Sequence, residues 1–138
     1  MAVCLATAAA TAVVAVHSFT LAWTHSIEKQ RWEEDWAVRG EGAVAALVLE
    51  RVRVRGHGAG MEPPAGAHLR DGVWEWQPGT THAVLRLTRS GFTADYSWCP
   101  DRGHCVPLGD ILPGDGGVTE VRACSMSAKE EGASTQSP

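Results

Sequence analysis

The chain has 138 residues, 44% of them hydrophobic, and a formal net charge of −4. That length fits one domain with enough apolar material for a core, and the acidic balance argues against a general nucleic-acid binder, which carries a basic face. Six Trp against two Phe and one Tyr is the strongest compositional bias; each indole brings a large apolar surface and one N–H that needs a partner.

Met1 to Val16 is apolar and alanine-rich. It reads as an irregular N-terminus, about residues 1–11, running into a buried strand. An export signal is the alternative, but no Lys or Arg precedes Lys29, so the charged n-region is missing. Thr7, Thr11 and His17 interrupt the run, which makes it a poor membrane span. With no clear signal peptide or transmembrane helix, the default compartment is cytoplasmic, with a periplasmic or membrane-associated placement as the alternative.

From there the dominant period is two. Phe19, Leu21, Trp23, His25 and Ile27 fall on one face, and Thr20, Thr24, Ser26 and Glu28 on the other, the alternation of a half-buried strand. Arg31 to Arg39 alternates again, with Trp32, Glu34, Trp36 and Val38 together and Glu33 and Asp35 turned to solvent. A third strand is expected from Ala43 to Arg55, with Val44, Ala46, Val48, Glu50, Val52 and Val54 on one face and Arg51, Arg53 and Arg55 on the other. Gly56 to Gly66 breaks the pattern as a loop. Shorter strands are expected at Val73–Trp76, His82–Thr88, Thr93–Cys99, Cys105–Leu108 and Val118–Ala123, separated by Gly and Pro. The expected fold class is all-β: a single antiparallel domain over residues 1–124 with about seven or eight strands, as a sandwich or partly open barrel. Residues 125–138 are small and polar and read as a disordered tail.

Pairing the first two long strands as a tight hairpin sets Ile27 against Trp32, His25 against Glu34, Trp23 against Trp36 and Leu21 against Val38. The apolar face is then broken at one rung, His25 with Glu34. Glu50 repeats the anomaly on the third strand. A buried carboxylate without a partner is costly, so His25, Glu34 and Glu50 are expected to converge. One His with two carboxylates is a candidate divalent-metal or proton-transfer site; the alternative is a polar network that fixes register.

A second candidate is an anion-binding loop of Arg53, Arg55, Gly56, Gly58 and Gly60, where glycine amides can form a nest. No Gly-Lys-Ser/Thr follows, so it is no phosphate loop. Ser26 points away from His25, so no nucleophile dyad forms there, and no cofactor fingerprint is present. Of the four cysteines, Cys99 and Cys105 flank the turn-rich Pro100–His104 and lie within reach of a disulfide; Cys4 and Cys124, near the two ends, are left open.

The run Phe19 to Lys29 followed by Trp32-Glu-Glu-Asp-Trp36, with Gly56-His-Gly-Ala-Gly-Met-Glu-Pro-Pro64, resembles the bacterial domain-of-unknown-function family eighteen-fifty over roughly residues 17 to 124. His57 stands where that family usually has Ser. The resemblance implies a setting beside the permease and receptor of TAXI-type TRAP transporters, which import small organic anions, and implies no reaction. The leading reading is a non-enzymatic accessory or ligand-binding module of such a system, with the permease, the solute receptor or a small organic anion as partner. The alternatives are a small metal-dependent or acid–base enzyme acting on that anion, and a purely structural domain.

Overall fold

Side-chain alternation along short strands organises the chain, as expected. The computed structural model describes residues 1–24, 30–55, 62–91, 94–101 and 103–125. In chain order the strands are β1 (Ala2–Ala6), β2 (Thr11–Val14), β3 (Ser18–Thr24), β4 (Arg31–Arg39), β5 (Ala46–Arg55), β6 (His68–Arg70), β7 (Val73–Trp76), β8 (Thr80–His82), β9 (Leu85–Thr88), β10 (Ser97–Pro100), β11 (Val106–Pro107) and β12 (Val118–Cys124). One helical turn, α1 (Leu108–Ile111), precedes β12.

The strands form two antiparallel sheets, arranged like a sandwich and not closed into a barrel. The smaller has the order β2-β1-β12-β9. The larger runs β11-β10-β3-β4-β5-β7-β6, with β8 also on β5. The alternating apolar residues meet between them. Val3 and Leu5 of β1, Val121 of β12, and Leu85 and Leu87 of β9 pack with Phe19, Leu21, Trp36, Val38, Leu47 and Trp98 of the large sheet. Phe19 stacks on Trp98 with ring centroids 4.4 Å apart. Burying roughly 200 Å² of apolar surface on each ring contributes about 5 kcal/mol per ring, before the entropy of ordering it.

Three differences from the sequence expectation matter. First, the N-terminal run is not an irregular lead. It is β1, paired on both sides, and β2 at the sheet edge. Val3 and Leu5 point inward with no exposure, so Cys4 between them points outward. There it is bridged to Cys124. Second, the expected strand His82–Thr88 is split. His82 ends β8 on the large sheet, whereas Leu85 begins β9 on the small one. Third, the first hairpin is not tight.

That hairpin is shifted by four residues from the expected pairing. Trp23 opposes Trp32, Leu21 opposes Glu34, and Phe19 opposes Trp36. Every inward face is preserved, because the slip is even. Lys29-Gln30 is a poor two-residue turn, and the last pair of the two strands is Thr24 with Arg31. At the other end of β3, the Cys99–Cys105 bridge closes the segment expected to carry it. Asp101 there accepts the backbone N–H groups of His17 and Ser18 at 3.2 and 3.0 Å, which anchors the entry to β3. Between β4 and β5 the turn uses Gly40 at a φ of 78°, where an added Cβ would lie 2.6 Å from the Val44 carbonyl oxygen.

Candidate functional site

The inward face of the large sheet is an ordered set of rungs. One rung carries Trp23, Trp32, Val54, Trp74 and Leu69 across β3, β4, β5, β7 and β6. The next carries Trp98, Leu21, Glu34, Val52 and Trp76. The Trp-Glu-Trp spacing of β7 places both of its indoles on this face. Trp36 and Phe19, one rung further along, are under 4% exposed beneath the small sheet. Trp23, Trp32, Trp74 and Trp76 remain half-buried, and Leu69 at the sheet edge is 58% exposed.

The half-buried rings form a row. Trp23 and Trp32 lie nearly parallel, with centroids 6.2 Å apart and planes at 11°. Tyr96 meets Trp23 edge-on at 5.5 Å, and Trp76 meets Trp32 edge-on at 6.3 Å. Trp36 contacts His82 at 5.1 Å. The indole Nε1 of Trp32 is buried without a hydrogen-bond partner among the described residues.

Glu34 lies on the same inward face, on the rung of Trp76 and next to the rung of Trp23 and Trp32. Its Oε1 accepts the Trp36 indole N–H at 3.3 Å. Burial pushes its carboxyl above the ordinary range, and the Trp36 hydrogen bond offsets this only in part. The Tyr96 phenol is also raised, first by burial and then by the charges of Glu34 and Asp95. The cations beside Glu34 in sequence are engaged elsewhere. Arg31 contacts Glu33 at 3.4 Å, and Arg39 contacts Glu50 at 2.8 Å.

The opposite face carries the ionic structure. Arg53 donates to both oxygens of Asp35 at 2.6 and 2.8 Å and to Glu33 at 3.1 Å. Thr20 donates to Asp35 at 2.7 Å. Burial works against the Asp35 charge, but the Arg53 and Thr20 hydrogen bonds and the Arg53 charge outweigh it and hold the carboxyl low. Arg53 is correspondingly held more firmly protonated, chiefly by its Asp35 hydrogen bond. Glu33 and Asp35 do face outward, as alternation requires, but are half-buried in this network rather than free in solvent. A polar hollow of about 570 Å³ lies over it, lined by Asp35, Glu50, Arg51, Arg53 and Asp101 among others.

The convergence of His25, Glu34 and Glu50 is therefore not what the fold builds. His25 lies outside the described residues, and Leu21 occupies the place opposite Glu34. A β-bulge opposite Asp35 and Trp36 leaves Glu50 as the extra residue of β5. The bulge inverts the alternation, so Leu47, Leu49, Val52 and Val54 face inward while Glu50 turns out to Arg39. Among the described residues no group of three His, Cys, Asp or Glu side chains is placed to hold a metal. Of the expected anion loop, Arg53 is neutralised by its own carboxylates. Arg55 is exposed at the end of β5, and Gly56, Gly58 and Gly60 lie outside the described residues.

Sequence reasoning missed Tyr96, Trp76 and His82 as neighbours of the tryptophans. It also missed the buried Arg89, which holds Asp95 at 2.7 Å and donates to the Leu112 carbonyl at 2.7 Å. No local signal announces a pair of that kind.

Residues 19–108, from β3 into α1, match the family described as Domain of unknown function (DUF1850). The chain belongs to that family. The matched span contains the whole aromatic row and Glu34. No curated protein and no solved structure matches the chain.

Proposed function

We propose that this DUF1850 protein is a non-enzymatic binding module that serves as an accessory of a TRAP-type (TAXI) solute transport system. The observation that carries the binding reading is Glu34. A carboxylate half-buried among indoles, its ionisation opposed by burial, costs a fold stability where an apolar residue would fill the rung. Retention of such a group at an aromatic surface is what a recognition site requires. The half-buried indoles, stacked at Trp23–Trp32 and edge-on at Trp32–Trp76, provide broad and rigid contact area for a small solute or for a partner.

The transport setting comes from the family resemblance, and its partners are the permease or the solute receptor. An acid–base or metal-dependent enzyme is the weaker reading, because Glu50 turns away from Glu34 and pairs with Arg39. The test is affinity co-purification of the tagged protein from detergent-solubilised membranes of its native host. Recovery of a TRAP permease or its receptor is expected. Recovery of the protein alone would remove the transport assignment.

A further inference from the structure

We propose that the aromatic row takes a small organic cation, its ammonium or quaternary ammonium group seated against Glu34 and the indole faces of Trp23 and Trp32. This rests on the binding-module reading and names the ligand chemistry of that same site.

The argument is one of charge complementarity. Glu34 lies on the inward face, and among the described residues its hydrogen-bond donor is a neutral indole. Arg31 and Arg39 on its own strand are held by Glu33 and Glu50, and Arg53 is held by Asp35 and Glu33 on the opposite face. The described surroundings of Glu34 therefore leave a carboxylate whose counter-charge is not supplied by an Arg. Trp32 lies two residues before Glu34 on the same face of β4, Trp76 shares its rung through Val52, and Trp23, Trp32, Trp76 and Tyr96 are linked to one another by ring contacts of 5.5 to 6.3 Å. Aromatic faces carry negative potential and attract a cation lying within about 6 Å of a ring centroid, Trp most strongly. Carboxylate and indole faces thus favour the same sign of guest. An anion would be repelled by both, and a neutral apolar guest would deepen the desolvation of Glu34 without compensating its charge.

An ammonium head is also compatible with access. Glu34 and the four rings are all half-buried, so each keeps some surface open to solvent. A quaternary ammonium suits the site best, because it loses little hydration and presents methyl groups to the rings.

The experiment is an NMR titration of the disulfide-bonded full chain, following the indole N–H signals of Trp23 and Trp32. Three probes of matched shape are compared: choline, its neutral isostere 3,3-dimethylbutan-1-ol, and the anion 3,3-dimethylbutyrate. Choline is expected to shift both signals saturably and to bind about ten-fold or more tightly than either isostere. Glu34→Gln keeps the side-chain shape and is expected to lose choline affinity by about thirty-fold or more, as when one partner of a desolvated charge pair is removed. Equal or tighter binding of the alcohol or the carboxylate would overturn the cation assignment while leaving the binding module standing. Unchanged choline affinity in Glu34→Gln would overturn the role of Glu34. No saturable shift with any of the three probes would overturn the cation inference together with the binding site itself. The probe comparison uses the wild-type chain, so the test holds even if the variant is poorly folded.

Discussion

Removing the Cys4–Cys124 bridge tests how the two ends of the chain hold the small sheet together. The cysteines join β1 to β12 across a sequence separation of 120 residues. Cys4 lies on the outward side of the sheet, so Cys4→Ser with Cys124→Ser leaves Val3, Leu5 and Val121 in place. The loss then falls almost wholly on the unfolded chain, which regains the entropy of an open loop. The chain-entropy relation gives about 5 kcal/mol for a loop of this length, and about half that for the Cys99–Cys105 loop, whose separation is 6 residues. A single domain of this size is stable by about 5–15 kcal/mol, so the long bridge is a large fraction of the whole. In urea, at a slope of about 2 kcal/mol per molar, the unfolding midpoint should fall by about 2.5 M. The assay is equilibrium unfolding of the double variant beside wild type and beside Cys99→Ser with Cys105→Ser. A loss below about 1 kcal/mol at unchanged slope, or a larger loss from the short bridge, would refute the entropic account.

Glu34→Gln should raise stability at neutral pH in the absence of ligand, since burial opposes the Glu34 charge and the amide carries none. The sign follows from the raised carboxyl: wild type gains stability as pH falls through the folded value, so the advantage of the variant shrinks there and vanishes below the ordinary value of 4.5. Melting curves across pH check this, and a variant destabilised at pH 7 would mean that the Glu34 charge is architectural. Arg53→Ala should cost about 2 kcal/mol, because Asp35 stays half-buried with Thr20 as its remaining described hydrogen-bond partner and only the more distant charge of Arg51. That deficit is full above 3.8 and is lost as pH falls through the depressed Asp35 value. Arg55→Ala, at an exposed strand end, should stay within about 0.5 kcal/mol; equal losses for the two arginines in denaturant titrations would contradict the network described for Arg53.

Period-two alternation was enough to place Trp23, Trp32, Glu34 and Trp36 on one inward face and to make the chain all-β, and the turn-rich Pro100–His104 was enough to set Cys99 near Cys105. These are local properties, because successive residues of a strand point to opposite sides whatever the strand pairs with. The motifs around Phe19–Trp36 and Gly56–Pro64 were enough for the family. What opposes what was not local. An even slip preserves every face, so no alternation count could tell Trp23 facing Trp36 from the observed Trp23 facing Trp32, which puts Leu21 in the place opposite Glu34. The β5 bulge is likewise not settled by Val48-Leu49-Glu50-Arg51-Val52, because Val48 and Leu49 are both apolar and either fits the inward face before Glu50. The pairing of β1 with β12, the second disulfide and the clamp of Arg53 on Asp35 joined residues distant in sequence or on neighbouring strands. Only the packing of the two sheets, which fixes the registers together, decided them.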